Sequence, residues 1–290
     1  MEFNVSSFLA ALPGAASQGV IWGIMALGVF LTYKLLDFAD LTVDGSLCTG
    51  GAVSAVLITA GMEPLLSLLF ATLSGMAAGG ITGLLHTRLK IPAILSGILT
   101  QLALYSVNMR IMGRANVTLL GKTTIVSLQA IPRAILIGGA FAVCVVAVMY
   151  WFFGTETGCA IRATGNNAHM ARAQGVNTDV MKVLGLVISN GLVAFSGALL
   201  SQYQGFADVQ MGRGAIVIGL ASVIIGEVLV SSNCNFAIRM GSIVLGAVIY
   251  YVIIALVLQA GLNTNDLKLF SAATVALALA LPALKSRAGN

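Results

Sequence analysis

The chain has 290 residues, of which 58% are apolar and 9% are charged. An ordinary soluble domain has about a quarter of its residues charged, so this composition excludes a water-soluble fold. The net charge of +5 includes no basic cluster interleaved with aromatic residues, which excludes a nucleic-acid-binding surface of the usual kind. The four cysteines have neither paired nor metal-site spacing, and we interpret them as small apolar residues.

Long stretches without charge run along the chain and predict membrane-spanning helices, because about 20 apolar residues cross ~30 Å of hydrocarbon. The stretches are apolar on all sides, which favours helices over the alternating strands of a β-barrel. We predict an all-α integral membrane protein, a single transmembrane domain over residues 1–290, with about nine spans. They are Ala15–Tyr33, Gly45–Ala60, Leu65–Leu85, Pro92–Met109, Ala134–Phe153, Leu184–Gln202, Gly214–Val230, Gly241–Ala260 and Lys268–Leu284.

Nine crossings place the two ends of the chain on opposite sides of the membrane. With Lys285 and Arg287 inside, nine of the 15 Lys and Arg residues are inside, so we predict a cytoplasmic C-terminus and an N-terminus outside. The polar connection Gly154–Lys182 is then cytoplasmic as well. The basic segment Ile111–Pro132 falls outside, so it is either an extracytoplasmic platform or a sign that the span count is off by one.

One phrase occurs twice. Phe38–Asp40 and Phe206–Asp208 both read Phe-Ala-Asp, both precede a span, and about 35 residues after each comes a helix rich in small residues, with Gly75 and Gly79 in the first. The recurring small residues predict close helix packing. The two copies enter the membrane from opposite sides, as an inverted-topology repeat predicts, and such repeats place solute pathways at their interface.

Gly154–Lys182 has the punctuation of a short helix. Asn166 or Asn167 can cap it, Ala168–Gln174 forms it, and Gly175 can end it in the left-handed conformation. A further asparagine can cap the next span. The residues alone leave open whether this helix lies parallel to the membrane or belongs to an ordinary juxtamembrane loop.

Residues 158–200, GCAIRATGNNAHMARAQGVNTDVMKVLGLVISNGLVAFSGALL, resemble the coupling-helix region of ABC importer permeases of the branched-chain amino acid and ribose type. Residues 18–55 resemble that family's first span and the broken-helix motif after it. Residues 214–229 and 240–261 are similar to its later half. The resemblance covers essentially the whole chain in the same order.

The resemblance implies a multi-pass permease of the bacterial cytoplasmic (inner) membrane. Its implied partners are a second permease copy in a homodimer, a cytoplasmic ABC ATPase dimer and an extracytoplasmic solute-binding protein. We expect no cofactor in this chain, with ATP and Mg bound by the ATPase, and no catalysis, because Gly121–Thr123 lacks the earlier glycine and the strand of a phosphate-binding loop. Amino acids, aromatic or branched-chain, are the expected solutes, ahead of sugars and nucleosides.

The short helix is expected to sit in a groove of the ATPase, with Ala171 and Arg172 exposed. The implied coupling residues are Arg162, Gly165, Asn166, Asn167, Ala171, Arg172 and Gly175. An ion-coupled secondary transporter is the alternative, because it also suits inverted repeats and intramembrane acids, but it needs no docking helix. A scaffold membrane protein predicts neither broken spans nor acids at membrane depth.

Acids near two spans point to a solute path. Thr42 or Asp44 can cap the second span, but the resemblance favours a broken helix that lines the path. Glu227 is either an intramembrane acid, a functional candidate by default, or an acid at the cytoplasmic interface. The predicted path residues are Phe38, Asp40, Thr42, Asp44, Gly50, Phe206, Asp208, Ser222 and Glu227.

Overall fold

Ten helices and one pair of short strands form the part of the chain that the computed structural model describes, residues 5–230, 235–259, 269, 272 and 273. The helices are α1 (Val5–Phe30), α2 (Val43–Thr59), α3 (Pro64–Thr87), α4 (Ala93–Met112), α5 (Ile131–Phe153), α6 (Glu156–Asn166), α7 (Ala168–Ala173), α8 (Thr178–Gln204), α9 (Ala215–Leu229) and α10 (Phe236–Gln259). The strands are β1 (Asn116–Thr118) and β2 (Phe206–Asp208), and they pair antiparallel. This strand pair is the one departure from the predicted all-α architecture in the described residues.

Five helical segments are long and apolar enough to cross a membrane, which makes the chain a multi-pass membrane protein. They are Ala10–Leu35, Pro64–Thr87, Leu128–Phe153, Thr178–Gln204 and Phe236–Gln259. Eight of the predicted spans overlap α1–α5 and α8–α10, although α1 begins ten residues before its predicted span. The ninth, Lys268–Leu284, lies almost entirely outside the described residues, so the nine-span count is not confirmed.

Helices α2 and α9 are apolar but short. They have 17 and 15 residues, about 26 Å and 23 Å at 1.5 Å per residue, and both fall below the ~30 Å of a hydrocarbon core. Non-helical chain precedes each of them. α1 ends in a π-helical turn over Leu31–Leu35, residues 36–42 are irregular, and β2 with the turns that follow it precedes α9. The broken helix predicted at the second span is therefore a break before α2 and not inside it, and a similar break precedes α9.

Helix α8 packs against α1, α2 and α3 through small residues. A Cβ atom added to Gly50 of α2 would collide with the backbone of Ala194, and one added to Gly79 of α3 would collide with the carbonyl of Leu186. Gly75 packs on α8 in the same way. Since lipid provides no hydrophobic drive between helices, this close backbone approach supplies packing energy. The prediction that Gly75 and Gly79 serve packing is confirmed.

The end of the fold that carries the strands also holds the connection from α4 to α5. Leu119 N–H donates to the Gly205 carbonyl at 2.8 Å, and Ile125 N–H donates to Gln202 Oε1 at 3.1 Å. In the described chain no helix lies between Met112 and the short 3-10 turn at Leu128–Ala130. The segment is therefore a folded cover on that end, and the structure gives no reason to add a span there.

Candidate functional site

Helices α6 and α7 form a platform at the end of the fold opposite the strands. Asn167 caps α7, its Oδ1 accepting from the N–H groups of His169 at 3.1 Å and Met170 at 3.0 Å. Gly175 ends the helix at φ +81°. This confirms the predicted punctuation and selects Asn167 over Asn166 as the cap.

Ala171 is buried against its own chain, at 3% exposure. Val176 N–H donates to the Ala171 carbonyl at 3.0 Å, a Schellman-type ending that folds the chain back over this face of α7. The prediction that Ala171 is exposed is therefore wrong. α7 presents other residues outward, among them Met170, at 60% exposure, and Arg172.

The platform is joined to the helices beneath it. A Cβ atom on Gly165 would collide with the backbone of Leu35 and Leu36, so α6 touches the irregular segment after α1. Arg172 Nε donates to Thr178 Oγ1 at 2.7 Å, and its Nη2 lies 3.4 Å from Asp179 Oδ1, both at the start of α8. A displacement of the platform would therefore change its contacts with the end of α1, through α6, and with the start of α8, through α7.

Glu227 lies in an ion cluster at this same end of the fold. Its Oε1 is 2.7 Å from Arg239 Nη2 and its Oε2 is 3.1 Å from Lys34 Nζ. The Arg239 guanidinium also lies 5.8 Å from the centre of the Phe30 ring, in cation–π contact. The acid thus connects α1, α9 and α10 through two charge partners, and 26% of its side-chain surface is exposed.

Nearby, Arg162 of α6 stacks over the Phe236 ring at 5.5 Å, at the start of α10. This contact gives the platform a further connection to the ion cluster, because Arg239 is only three residues along the same helix.

Asp40 anchors a buried polar network in the irregular segment before α2. It is 2% exposed, and its Oδ1 accepts from Thr42 N–H at 2.9 Å while its Oδ2 accepts from Asn190 Nδ2 at 2.7 Å. Ser46 Oγ donates to Asn190 Oδ1 at 2.6 Å. Hydrogen bonding on all sides is what makes burial of such groups tolerable.

The network extends through hydroxyl groups to α3 and α4. Thr42 Oγ1 and Thr82 Oγ1 lie 2.8 Å apart, and Thr82 Oγ1 donates to Thr100 Oγ1 at 2.9 Å. Five segments of the chain, counting α2 and α8, therefore meet around the entry to α2.

Asp44 caps a helix, but not the predicted one. Its carboxylate accepts from the N–H groups of Gly214 and Ile216, both at 2.9 Å, at the start of α9. Neither it nor Thr42 makes a side-chain cap on α2, so that expectation is wrong. Gly212 N–H donates to Cys48 Sγ at 3.0 Å beside it. The first turns of the two short helices are thus held together.

The other predicted path residues are dispersed. Phe38 is buried in the apolar core, its ring 5.0 Å from that of His86. Gly50 and Ser222 lie inside helix contacts, and Phe206 lies on β2 at 38% exposure. The structure brings Asp40 and Thr42 together and places Asp44 at the α2–α9 junction, while their role as path residues remains a prediction.

Comparison with known proteins identifies the family of this fold. The profile described as "Branched-chain amino acid transport system / permease component" matches residues 11–281. The chain belongs to this ABC permease family. The permease is therefore not itself an enzyme, and ATP is hydrolysed by a separate subunit.

Two relatives of this permease are named for different solutes. It is 39% identical over 272 residues to a tyrosine transport system permease protein of Clostridioides difficile, covering 94% of this chain and 91% of that one. It is 30% identical over 222 residues to an autoinducer 2 import system permease protein of Yersinia pseudotuberculosis, covering 73% and 60%. PsaBC from Streptococcus pneumoniae in complex with Fab shares the fold, with a TM-score of 0.54 at 14% identity over 95% of both chains.

Sequence reasoning missed several polar residues of the permease. Asn190 was detectable as a polar side chain in the middle of an apolar span. Lys34 and Arg239 are charged residues at span ends, but no local sequence pattern indicates that both form ion pairs with Glu227. Lys34 is 193 residues from Glu227 along the chain, and Arg239, only 12 residues away, reaches it because α9 and α10 pack together.

Proposed function

We propose that this permease imports small solutes, and amino acids in particular, across the bacterial cytoplasmic membrane in an ATP-driven complex. The complex consists of two copies of the permease, a cytoplasmic ABC ATPase dimer and an extracytoplasmic solute-binding protein. Aromatic or branched-chain amino acids are the proposed cargo. The 39% identity to a tyrosine transport permease over nearly the whole chain is the observation that carries this proposal.

The family decides between the two transporter classes. Members of an ABC permease family work with a separate ATPase, whereas an ion-coupled secondary transporter has no such partner. The platform of α6 and α7 suits such a partner, because it ends in an exposed, capped helix that the ATPase can bind. The bonds from Arg172 to α8 and the contact of Gly165 with Leu35 offer a route by which ATPase closure reaches the irregular entry to α2.

The packing supports an inverted repeat of α1–α3 and α8–α10. α8, the first helix of the second half, packs on α2 and α3 of the first half. In the same way, α1 packs on α9 and α10 of the second half. The two Phe-Ala-Asp copies also form the same local hydrogen bond, since Asp40 Oδ1 accepts from Thr42 N–H and Asp208 Oδ1 accepts from Gln210 N–H. Two such halves, moving relative to each other, are a common basis of alternating access.

The test is substitution of the outward face of α7. Met170→Glu places a charge on the exposed apolar side chain that we propose meets the ATPase. Leu120→Glu is the matched control, because Leu120 is 90% exposed at the opposite end of the fold. We expect Met170→Glu to reduce co-purification of the ATPase at least tenfold, the loss of about 1.4 kcal/mol of binding, while Leu120→Glu keeps it.

A thermal melt of each isolated variant controls for folding. Loss of the ATPase with Met170→Glu at an unchanged melting temperature supports the docking helix. Normal association and normal ATP-driven uptake of L-tyrosine would rule out α7 as the docking element.

A further inference from the structure

A cavity of about 310 Å³ lies between α2, α4 and the start of α9. Its volume is at the lower end of ligand pockets, roughly 300–1,000 Å³, and is suited to one small molecule. α4 supplies one wall with Gln101, Leu102, Tyr105 and Asn108, and Asp44 and Arg213 supply the other. It adjoins the junction at which Asp44 holds the first turn of α9.

An unsatisfied polar atom belongs to this cavity. Asn108 is 1% exposed, and its Oδ1 has no hydrogen-bond partner among the described residues. A buried amide oxygen without a partner costs about 1–3 kcal/mol, and natural proteins rarely keep one without a reason. Because that oxygen has almost no solvent-accessible surface, a donor in the cavity would remove the cost only if the Asn108 side chain turned toward it.

Two opposite charges face the same space. Arg213 is exposed, and within the described chain no carboxylate lies within 4.0 Å of its guanidinium. Asp44 accepts two N–H groups from α9, and a carboxylate has about four acceptor sites, so it retains capacity for a cationic donor. Asp44 lies in the first turn of an apolar helix, where an ionisable side chain is a functional candidate by default.

We propose that this cavity is a solute subsite within the permease that requires both charges of a zwitterion. Arg213 holds the carboxylate, while Asp44 accepts from the ammonium group. The solute side chain lies along Leu102 and Tyr105. The proposal rests on the proposed function for its setting, and it adds a second selection step in the membrane after the binding protein.

The subsite is tested by thiol protection in the permease–ATPase complex without any binding protein. Leu102 is 65% exposed at the cavity, so Leu102→Cys provides a reporter thiol. Cys144, Cys159 and Cys234 are first replaced by serine, whereas Cys48 is kept because it lines the cavity and accepts from Gly212 N–H, and the chain without the reporter gives the background labelling. A cationic methanethiosulfonate reagent then labels the reporter in the presence of L-tyrosine, of tyramine, which lacks the carboxylate, or of 3-(4-hydroxyphenyl)propionate, which lacks the ammonium group.

We expect L-tyrosine to slow labelling, and each one-charge analogue to need at least a tenfold higher concentration for the same effect. Arg213→Gln raises the half-protecting concentration of L-tyrosine at least tenfold. Arg133→Gln, an exposed arginine at the start of α5 outside the cavity, leaves it unchanged. Asp44 is not substituted, because its carboxylate also holds α9.

Equal protection by all three compounds, or none by L-tyrosine, overturns the subsite. If the Arg213→Gln variant fails to fold, the comparison of the three compounds on the Leu102→Cys chain, in which Arg213 is intact, still tests the subsite. ATP-driven L-tyrosine uptake without charge-selective protection overturns the subsite and leaves the importer standing. Charge-selective protection without ATP-driven uptake of L-tyrosine by the complete transporter supports the subsite and overturns the proposed import of amino acids.

Discussion

Two aspartates of the same local sequence end in different surroundings. Asp40 and Asp208 both close a Phe-Ala-Asp phrase, and both accept from the backbone N–H two residues later. Asp40 is 2% exposed and bonded to Asn190 at 2.7 Å, whereas Asp208 is half-buried and its Oδ2 lies 3.5 Å from exposed Asn116. Burial, and not sequence, sets the strength of the second bond.

We therefore expect Asn190→Ala to destabilise the permease far more than Asn116→Ala. Leaving a buried polar group without its partner costs about 1–3 kcal/mol, whereas removing an exposed partner changes the stability by less than about 0.5 kcal/mol. The two variants are matched, since each removes the amide that bonds an equivalent aspartate. Their denaturation midpoints in detergent give the difference, and equal midpoints would contradict the assigned role of Asn190.

Sequence reasoning found both aspartates but not what Asp40 bonds. Asn190 is 150 residues away along the chain, and no local pattern connects the two. At Asp44 the sequence predicted the wrong hydrogen-bond partner. Asp44 was expected to cap α2, the helix that contains it, but its carboxylate caps α9, because the two helix starts adjoin in space.

At the scale of single elements, α7 was predictable in its bounds but not in its orientation. Asn167 and Gly175 are local signals, and both act as expected. Which face turns inward depends on how the chain returns after Gly175 towards α8. That path buries Ala171 and leaves Met170 outward.

Ala171→Trp is accordingly expected to destabilise the isolated permease. Overpacking a fitted site costs about 1–3 kcal/mol, so the melting temperature falls by a few degrees without any partner present. Ala173→Trp is the control, because Ala173 is exposed on the same helix. A melt of the Ala171→Trp variant that matches the parent chain would show that this face of α7 is open.

At the scale of the whole molecule, the two ends are distinct. One end holds β1, β2 and the cover between α4 and α5, and the other holds the platform and the ion cluster of Lys34, Glu227 and Arg239. The described chain therefore has the sidedness that the predicted topology requires. Which end faces the cytoplasm rests on the charge bias and the family.

Cysteine labelling in intact cells tests that orientation. With the natural cysteines replaced by serine, Asn166→Cys and Ala288→Cys are expected to resist a membrane-impermeant reagent, while Leu120→Cys reacts. Asn166 is exposed on the platform, whereas a side chain at neighbouring Gly165 would collide with the backbone of Leu35. Labelling of Asn166→Cys from outside would reverse the topology.

The sequence by itself determined the membrane class, eight of the helices and the caps of α7, because apolar run length and capping chemistry are local. Its resemblance to the permease family was also carried by contiguous motifs, and the comparisons confirm it. Only the tertiary structure decided the partners of Asp40, Asp44 and Glu227 and the cavity beside Arg213. The bonds of Asp40 to Asn190, of Asp44 to Gly214 and of Glu227 to Lys34 join residues more than a hundred positions apart, and in lipid they depend on how small residues let helices approach.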